Sequence, residues 1–362
     1  MKIKPVRSRK DFKDFLHLIK VVYRGNPFHR STDDGIVKLL IQGPTVFHSH
    51  ASVNSFLILE SQKPVGRFSL IFDEKLPTFL QVSFFEALPE LPGISDLILE
   101  HARKLFPKCK RVVIGLNGHL NYSAGFLLNH FDEPPVFGLP YTPSYYLDYF
   151  KDFQQKRMVS FRFPATPFFE YMEKKIDNVD FAGITVRKLD KTRLKQEIEI
   201  YTKLNNACFS EHPFWAERSL EEDFELFYPF RRLLREEYFL FAEFKGEPIG
   251  FLLWYPDFNE LVPANKQLGI KHLLLHRFRN PIRTFRFTQI AVLPQYRIST
   301  ATLALILKMI PPVKKAGYQF GEGGYIFEDN IKSITMTRRF LERATGSTME
   351  PYRIYALFES KL

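Results

Sequence analysis

The polar residues best placed for chemistry follow strand patterns in the last third of the chain. A strand pattern from Tyr318 to Phe327 ends in Glu328-Asp329-Asn330. Parallel α/β sheets bind ligands outside the carboxyl ends of their strands. Glu328, or Glu322 within the strand, is therefore placed to act as general base on an amine. Asp329 and Asn330 serve equally as the cap of a helix over Ile331–Leu341. Upstream lies Arg297-Ile298-Ser299-Thr300-Ala301-Thr302, a polar turn opening a helical pattern. A guanidinium, hydroxyls and the N–H groups of a helix N-terminus together suit an anion, although Ser299 or Thr300 also reads as an ordinary N-cap. Pro256-Asp257-Phe258-Asn259 ends another strand pattern. Asp257 and Asn259 either line a substrate pocket there or make a simple turn.

These residues need a scaffold, and hydrophobic periodicity predicts one. Phe285–Val292 reads as a strand, and Leu303, Ile306, Leu307 and Ile310 fall on one helical face. Pro311-Pro312 is expected to stop or kink that helix. With the strand at Tyr318–Phe327 this makes a strand–loop–helix–strand unit, so the two strands are expected to be parallel neighbours. Earlier, 55–72 reads as a hairpin, 81–87 as a strand, 94–105 as a helix and 111–115 as a strand. The same order returns in a hairpin at 238–257 and the elements after it. Lys63-Pro64-Val65-Gly66 matches Glu247-Pro248-Ile249-Gly250. This long-period repeat predicts a duplicated α/β domain, 1–155 and 183–362, joined by a linker at 156–182. Residues 265–286 form a basic amphipathic stretch containing Lys271, Arg277 and Arg279 among leucines. It either docks its apolar face on the protein or presents it to a membrane or an anionic substrate.

The chain has 362 residues, 38 of them Phe, and a formal net charge of +11. The charge favours an anionic ligand or partner without choosing one. The two cysteines, Cys109 and Cys208, exclude a disulfide framework or a cysteine zinc site of their own. They suit a reducing compartment, and with no signal-peptide core or long apolar run a cytoplasmic protein without a transmembrane segment is expected. His48 and His50 read as surface residues, and no metal site is expected. The phenylalanines read as core, since no RNP-like motif or zinc knuckle accompanies them.

The strand ending in Ala291-Val292-Leu293-Pro294-Gln295-Tyr296-Arg297, followed by helix, strand and an Asn-led helix, resembles the core of the GNAT acetyltransferase superfamily. That family's loop reads Q/R-x-x-G-x-G/A. Arg297 fits, whereas Thr300 and Thr302 stand at the glycine positions. Further motifs resemble a group of bacterial tandem-GNAT proteins of uncharacterised activity. They are Pro64-Val65-Gly66-Arg67, Phe131-Asp132-Glu133-Pro134-Pro135, Pro143-Ser144-Tyr145-Tyr146, Pro256-Asp257-Phe258-Asn259, Glu328-Asp329-Asn330 and Tyr352-Arg353-Ile354-Tyr355. The resemblance implies two tandem domains, each a mixed, splayed sheet flanked by helices, the first without a recognisable pyrophosphate loop. It implies an N-acyltransferase that moves an acyl group from acetyl-CoA or another acyl-CoA to a small-molecule or other amine-bearing acceptor. The donor would lie against the backbone near Ile290 and Val292, the loop 297–302 and Asn330. The family's general-acid Tyr position holds Thr337, leaving Tyr325 or Tyr352 as substitutes. Asp257, Asn259, Tyr352 and Arg353 would face the acceptor. The same tandem architecture also suits a Fem-type transferase using aminoacyl-tRNA, or a binding protein without catalysis.

Overall fold

The computed structural model describes residues 1–31, 34–176, 179–279 and 281–362. They form two compact units. One comprises Met1–Met158, Val262–Leu268 and Arg353–Leu362; the other comprises Val159–Leu261 and Gly269–Tyr352.

In the first unit the chain runs β1 (Lys2–Pro5), α1 (Arg9–Val22), α2 (Asp34–Gln42), β2 (Ala51–Glu60), β3 (Lys63–Asp73), β4 (Leu80–Ala87), α3 (Ile94–Leu105), β5 (Arg111–Ile114), the short β6 (Phe126–Leu127) and the single turn α4 (Tyr146–Tyr149). The C-terminal strand β13 (Ile354–Lys361) completes a sheet of order β1-β2-β3-β4-β5-β13. Ser8 caps α1 in a reciprocal box with Asp11. Ser61 and Gln62 both take positive φ, which suits a two-residue hairpin turn between twisted strands. β4 runs parallel to β5, while its other neighbour, β3, is antiparallel. Phe68, Leu70, Val82, Phe126, Tyr146 and Phe150 lie in one buried cluster, so the aromatic content is core, as expected.

The second unit takes β7 (Gln154–Pro164) from Val159 onward. It continues with α5 (Ala165–Ile176), β8 (Ile184–Lys188), α6 (Leu194–Phe209), α7 (Leu220–Phe227), β9 (Phe239–Phe244), β10 (Glu247–Pro256), α8 (Ile270–Arg279), β11 (Thr284–Val292), α9 (Ala301–Ala316), β12 (Phe320–Phe327) and α10 (Ile331–Thr345). Its sheet order is β8-β9-β10-β11-β12-β7, with β11 parallel to β12. β4 and β11 thus hold the same place, fourth in order, antiparallel to one neighbour and parallel to the next. Tyr201, Phe239, Phe241 and Phe251 pack α6 onto this sheet.

Three expectations are corrected. The segment 156–182 is not a plain linker, because it holds most of β7 and all of α5. β7 opens on four polar residues, Gln154-Gln155-Lys156-Arg157, before its buried run, which masks a strand period. Of the two outcomes expected at Pro311-Pro312, a stop or a kink, the stop is excluded, because the helix runs through both prolines to Ala316. Each internal proline costs about 3 kcal/mol. Burial of Met309, Ile310 and Val313, all at most 1% exposed, offsets this. His50 is not a surface residue: its Nδ1 meets Asp73 Oδ1 at 2.8 Å, and its side chain is 11% exposed.

The compact units also differ in extent from 1–155 and 183–362. The last strand, β13, is in the first unit, antiparallel to β5 from Phe358↔Ile114 to Lys361↔Arg111. β7 takes its place in the second, next to β12. β12 is glycine-rich for this reason. A Cβ on Gly321 would lie 2.4 Å from the Phe163 ring of β7, and one on Gly324 would lie 2.9 Å from the Val159 carbonyl.

Candidate functional site

β11 and β12 pair only over Thr284–Phe287 and Phe320–Gly323. Beyond that point they part. The cause is a bulge: the register against β10 shifts between Leu253↔Gln289 and Trp254↔Phe287, so Thr288 is an extra residue on β11. After the bulge the ladder to β10 resumes, and the Leu293 N–H donates to the Ile249 carbonyl at 2.9 Å. Antiparallel alternation then points the N–H and C=O groups of Ile290 and Val292 away from β10, toward the opening. Two backbone sites with the spacing of a strand thus face a wedge between parting strands. Such a wedge accepts an extended amide-bearing chain as an added half-strand.

The turn Pro294–Thr300 and α9 lie at the carboxyl end of β11. Thr300 ends the turn, and the first helical bond runs from the Ala304 N–H to the Thr300 carbonyl at 2.9 Å. The Ser299 hydroxyl donates to the Tyr296 carbonyl at 2.6 Å and accepts the Ala301 N–H at 3.2 Å. Arg297 is exposed, and its guanidinium donates to the Cys208 carbonyl at 3.1 Å. Ile298 is fully exposed, and Thr302 stands in the first turn of α9. Thr288 Oγ1 and Thr300 Oγ1 are both buried with no hydrogen-bond partner among the described residues. Two orphaned hydroxyls, one at the bulge and one at the helix start, therefore border the wedge and the turn Pro294–Thr300. This donor set fits a chain of amides ending in phosphates. Cys208 beside Arg297 is no nucleophile, since burial pushes its pKa up to about 11.

Glu322 is buried, accepts a hydrogen bond from the Ser160 hydroxyl at 3.1 Å, and stands opposite Arg286 in the parallel register. Register partners share a face of the sheet. On β11 and β10 that region also holds Tyr255, whose hydroxyl accepts from Arg286 at 3.0 Å. Past the bulge, Gln289 accepts from the Tyr201 hydroxyl at 3.1 Å and donates to Asn205 of α6 at 2.8 Å. Glu328 is half-buried just past β12, and Tyr325 is half-buried within it. Asn330 is the N-cap of α10, its Oδ1 accepting the Ser333 N–H at 3.1 Å.

Asp257 and Asn259 are buried, with Asp257 Oδ1 accepting the Asn259 N–H at 3.1 Å. That bond is a turn, the plainer of the two sequence readings. Tyr352 lies beside β7, its hydroxyl 3.4 Å from Arg162 and its N–H donating to the Ser160 carbonyl. Arg353 is in the first unit, where its guanidinium is buried and meets Glu133 at 3.2 Å. The neighbouring Ile354 N–H donates to Asn129. The motifs at 129–133 and 353–355 thus hold the terminal strand.

Sequence reasoning passed over His212. It follows α6, its ring centroid lies 4.7 Å from that of Phe327 at the end of β12, and Asp329 interacts with it electrostatically. Burial lowers its pKa, and Nδ1 accepts the Phe214 N–H at 3.2 Å. The neutral ring therefore carries its proton on Nε2. The run Glu211-His212-Pro213-Phe214-Trp215 after a helical pattern is the signal that marks it.

The equivalent place in the first unit is filled by the chain itself. β4 bulges at Phe84, which has φ +53 and whose N–H donates to Asn117 Oδ1 at 2.8 Å. The Ser83 hydroxyl donates to the Leu116 carbonyl, and Gln81 bonds both backbone groups of Gly118. Residues 116–118 lie along β4 past its bulge, the place that corresponds to the wedge of the second unit.

Two parted β-sheet domains in one chain, each with a bulge in the strand before the parting, define the tandem GNAT fold. A tandem GNAT protein from the clavulanic acid biosynthesis pathway superposes with a TM-score of 0.57 at 12% identity, covering 99% of this chain and 98% of that one. By sequence, the chain is 20% identical over 324 residues to the bacterial ceramide synthase of Caulobacter vibrioides, spanning 85% of this chain and 84% of that protein. It is 24% identical over 258 residues to protein YghO of Escherichia coli, spanning 67% of this chain and 64% of that protein. No known family model matches. Among the described residues, no helix is long and apolar enough to cross a membrane.

Proposed function

We propose that the second unit is an N-acyltransferase that takes its acyl group from an acyl-CoA thioester and gives it to a primary amine. The observation that carries this is the wedge between β11 and β12, with Ile290 and Val292 turned into it and an anion turn at its mouth. The donor's amide arm would lie along β11. Its pyrophosphate would meet Arg297, the Ser299 and Thr300 hydroxyls and the start of α9 across Ile298, Ala301 and Thr302.

The amine nitrogen attacks the thioester carbonyl carbon, the C–N bond forms, and the C–S bond breaks. Glu328 takes the amine proton, Tyr325 returns one to the departing sulfur, and buried Glu322 positions the acceptor face together with Arg286. The name of the Caulobacter relative suggests the acceptor class: an amine on a long-chain base, giving a ceramide-like amide. Ile290 and Val292 put apolar side chains beside the wedge, which suits a long acyl chain.

The test is turnover by the purified protein with acyl-CoAs of two to eighteen carbons, a long-chain amino alcohol and a short polyamine. CoA release and the amide product are both measured. Amide formation with the long-chain amine supports the reading. If no thioester is consumed and transfer needs aminoacyl-tRNA instead, the Fem-type reading replaces it.

A further inference from the structure

Helix α8 presents its amphipathic pattern the wrong way round for a docked helix. Its buried residues are His272 and His276, 6% and 7% exposed. His276 lies 3.5 Å from the Tyr238 hydroxyl, with its ring against Phe258. The outward side carries Ile270, Leu274 and Phe278, which are 74%, 49% and 78% exposed and spaced four residues apart. Leu275 beside them is also exposed. Positions i, i+4 and i+8 share one helix face. Three large apolar side chains therefore form a continuous stripe in solvent, whereas isolated exposed apolar residues would need no explanation.

The charges around the stripe say what covers it. Lys271, Arg277 and Arg279 are exposed on the same helix, and Lys266 is exposed just before it. Between Glu260 and Glu322 the chain has ten Lys or Arg and no Asp or Glu. A second copy of this helix would bring like charges together. An apolar stripe on a helix that carries cations and no carboxylate of its own matches an anionic bilayer, where aliphatic and aromatic side chains enter the headgroup boundary and the cations meet lipid phosphates.

We propose that α8 is a peripheral membrane anchor that seats the protein on anionic lipid, lying in the plane of the interface. This does not depend on the acyl-transfer reading, and its test reads no turnover. It places the protein where a long-chain amine would be met.

The experiment is co-sedimentation of the whole protein with vesicles of phosphatidylcholine alone and of phosphatidylcholine with one-third phosphatidylglycerol. Wild type is expected to bind the anionic vesicles at least tenfold better. The exposed-site variant L274Q/F278Q is expected to lose that binding at least tenfold, with its melting temperature unchanged. K271Q/R277Q/R279Q is expected to lose the preference for anionic lipid. As a second readout, F278W adds an exposed tryptophan to the buried Trp215 and Trp254, and its emission is expected to shift to the blue on anionic vesicles. Failure of wild type to bind, equal binding by L274Q/F278Q, or an unshifted F278W spectrum overturns the proposal. So does concentration-dependent dimerisation that L274Q/F278Q abolishes, because the stripe then belongs to a second copy.

Discussion

Arg297 gives the sharpest test of the donor site. It is the one cation of the turn Pro294–Thr300, it is exposed, and it donates to the Cys208 carbonyl at 3.1 Å. A guanidinium–phosphate bond contributes roughly 1.5–3 kcal/mol, and a neutral carbonyl bond given up in exchange about 1 kcal/mol. The net is about 0.5–2 kcal/mol, so Arg297→Ala should weaken CoA binding about 2- to 30-fold at about 1.4 kcal/mol per decade. The companion variant restores glycine at Thr300 and Thr302. Thr300 has φ −78°, so glycine is not needed there for backbone reasons. Its loss as N-cap residue costs a few tenths of a kcal/mol, roughly, and glycine in place of Thr302 costs about 0.5 kcal/mol. Against that, two branched side chains leave the approach to the helix N–H groups, so the double-glycine variant should bind CoA more tightly at a stability cost below about 1 kcal/mol. Calorimetry with CoA on the three proteins decides it. An unchanged dissociation constant for Arg297→Ala refutes the phosphate assignment. If wild type does not bind and the glycine variant does, the turn has gone out of use and the chain does not take CoA there.

Other consequences are equally direct. Glu328→Gln should leave donor affinity intact and lower turnover about 10²–10⁴-fold; unchanged single-turnover rates would give Glu328 a structural role. His29 is buried against Tyr23, its ring centroids 3.7 Å apart, and burial pushes its pKa down to about 4. The unfolded chain then binds the extra proton between about pH 6.5 and pH 4. Acidification across that window should cost the first unit up to about 3 kcal/mol, with full stability above it. His29→Gln should flatten that slope in urea melts at several pH values, and an unaltered slope would put the acid sensitivity elsewhere. Gly321→Ala drives a methyl to within 2.4–2.7 Å of the Phe163 and Phe285 rings. It should destabilise the second unit by about 1–3 kcal/mol, and a variant as stable as wild type would mean that β7 stands further from β12 than described.

The strands and helices were legible because their side-chain periods are local: Ile98 and Ala102 mark α3 as plainly in the sequence as in the core. Choice of partner is not local. Tyr355 to Phe358 reads as a buried strand wherever it pairs, so nothing in its pattern assigned it to β5. Nor did the amphipathic pattern of 265–286 say which face of α8 would be turned inward, since two histidines proved to be the docking side. The wedge could be expected from the resemblance, but its bulge at Thr288 could not, because a bulge is a one-residue register shift with no compositional mark. Asp257 and Asn330 show the limit in the other direction: each makes a bond, of a turn or of a cap, that its residue type most often serves, and such a bond leaves a site role unmarked in the sequence.

The placement of β13 has a consequence for the order in which the chain becomes structured. The first unit lacks its sixth strand until residues 354–361 exist, and by then the whole of the second unit has been synthesised. The edge of β5 must wait through some 240 intervening residues, roughly, from Ile114 to Ile354, with its hydrogen-bonding groups open to wrong partners. The usual rule that an N-terminal domain finishes first is reversed here. A nascent chain stalled anywhere before Ile354 carries a sheet whose β5 edge is unfinished.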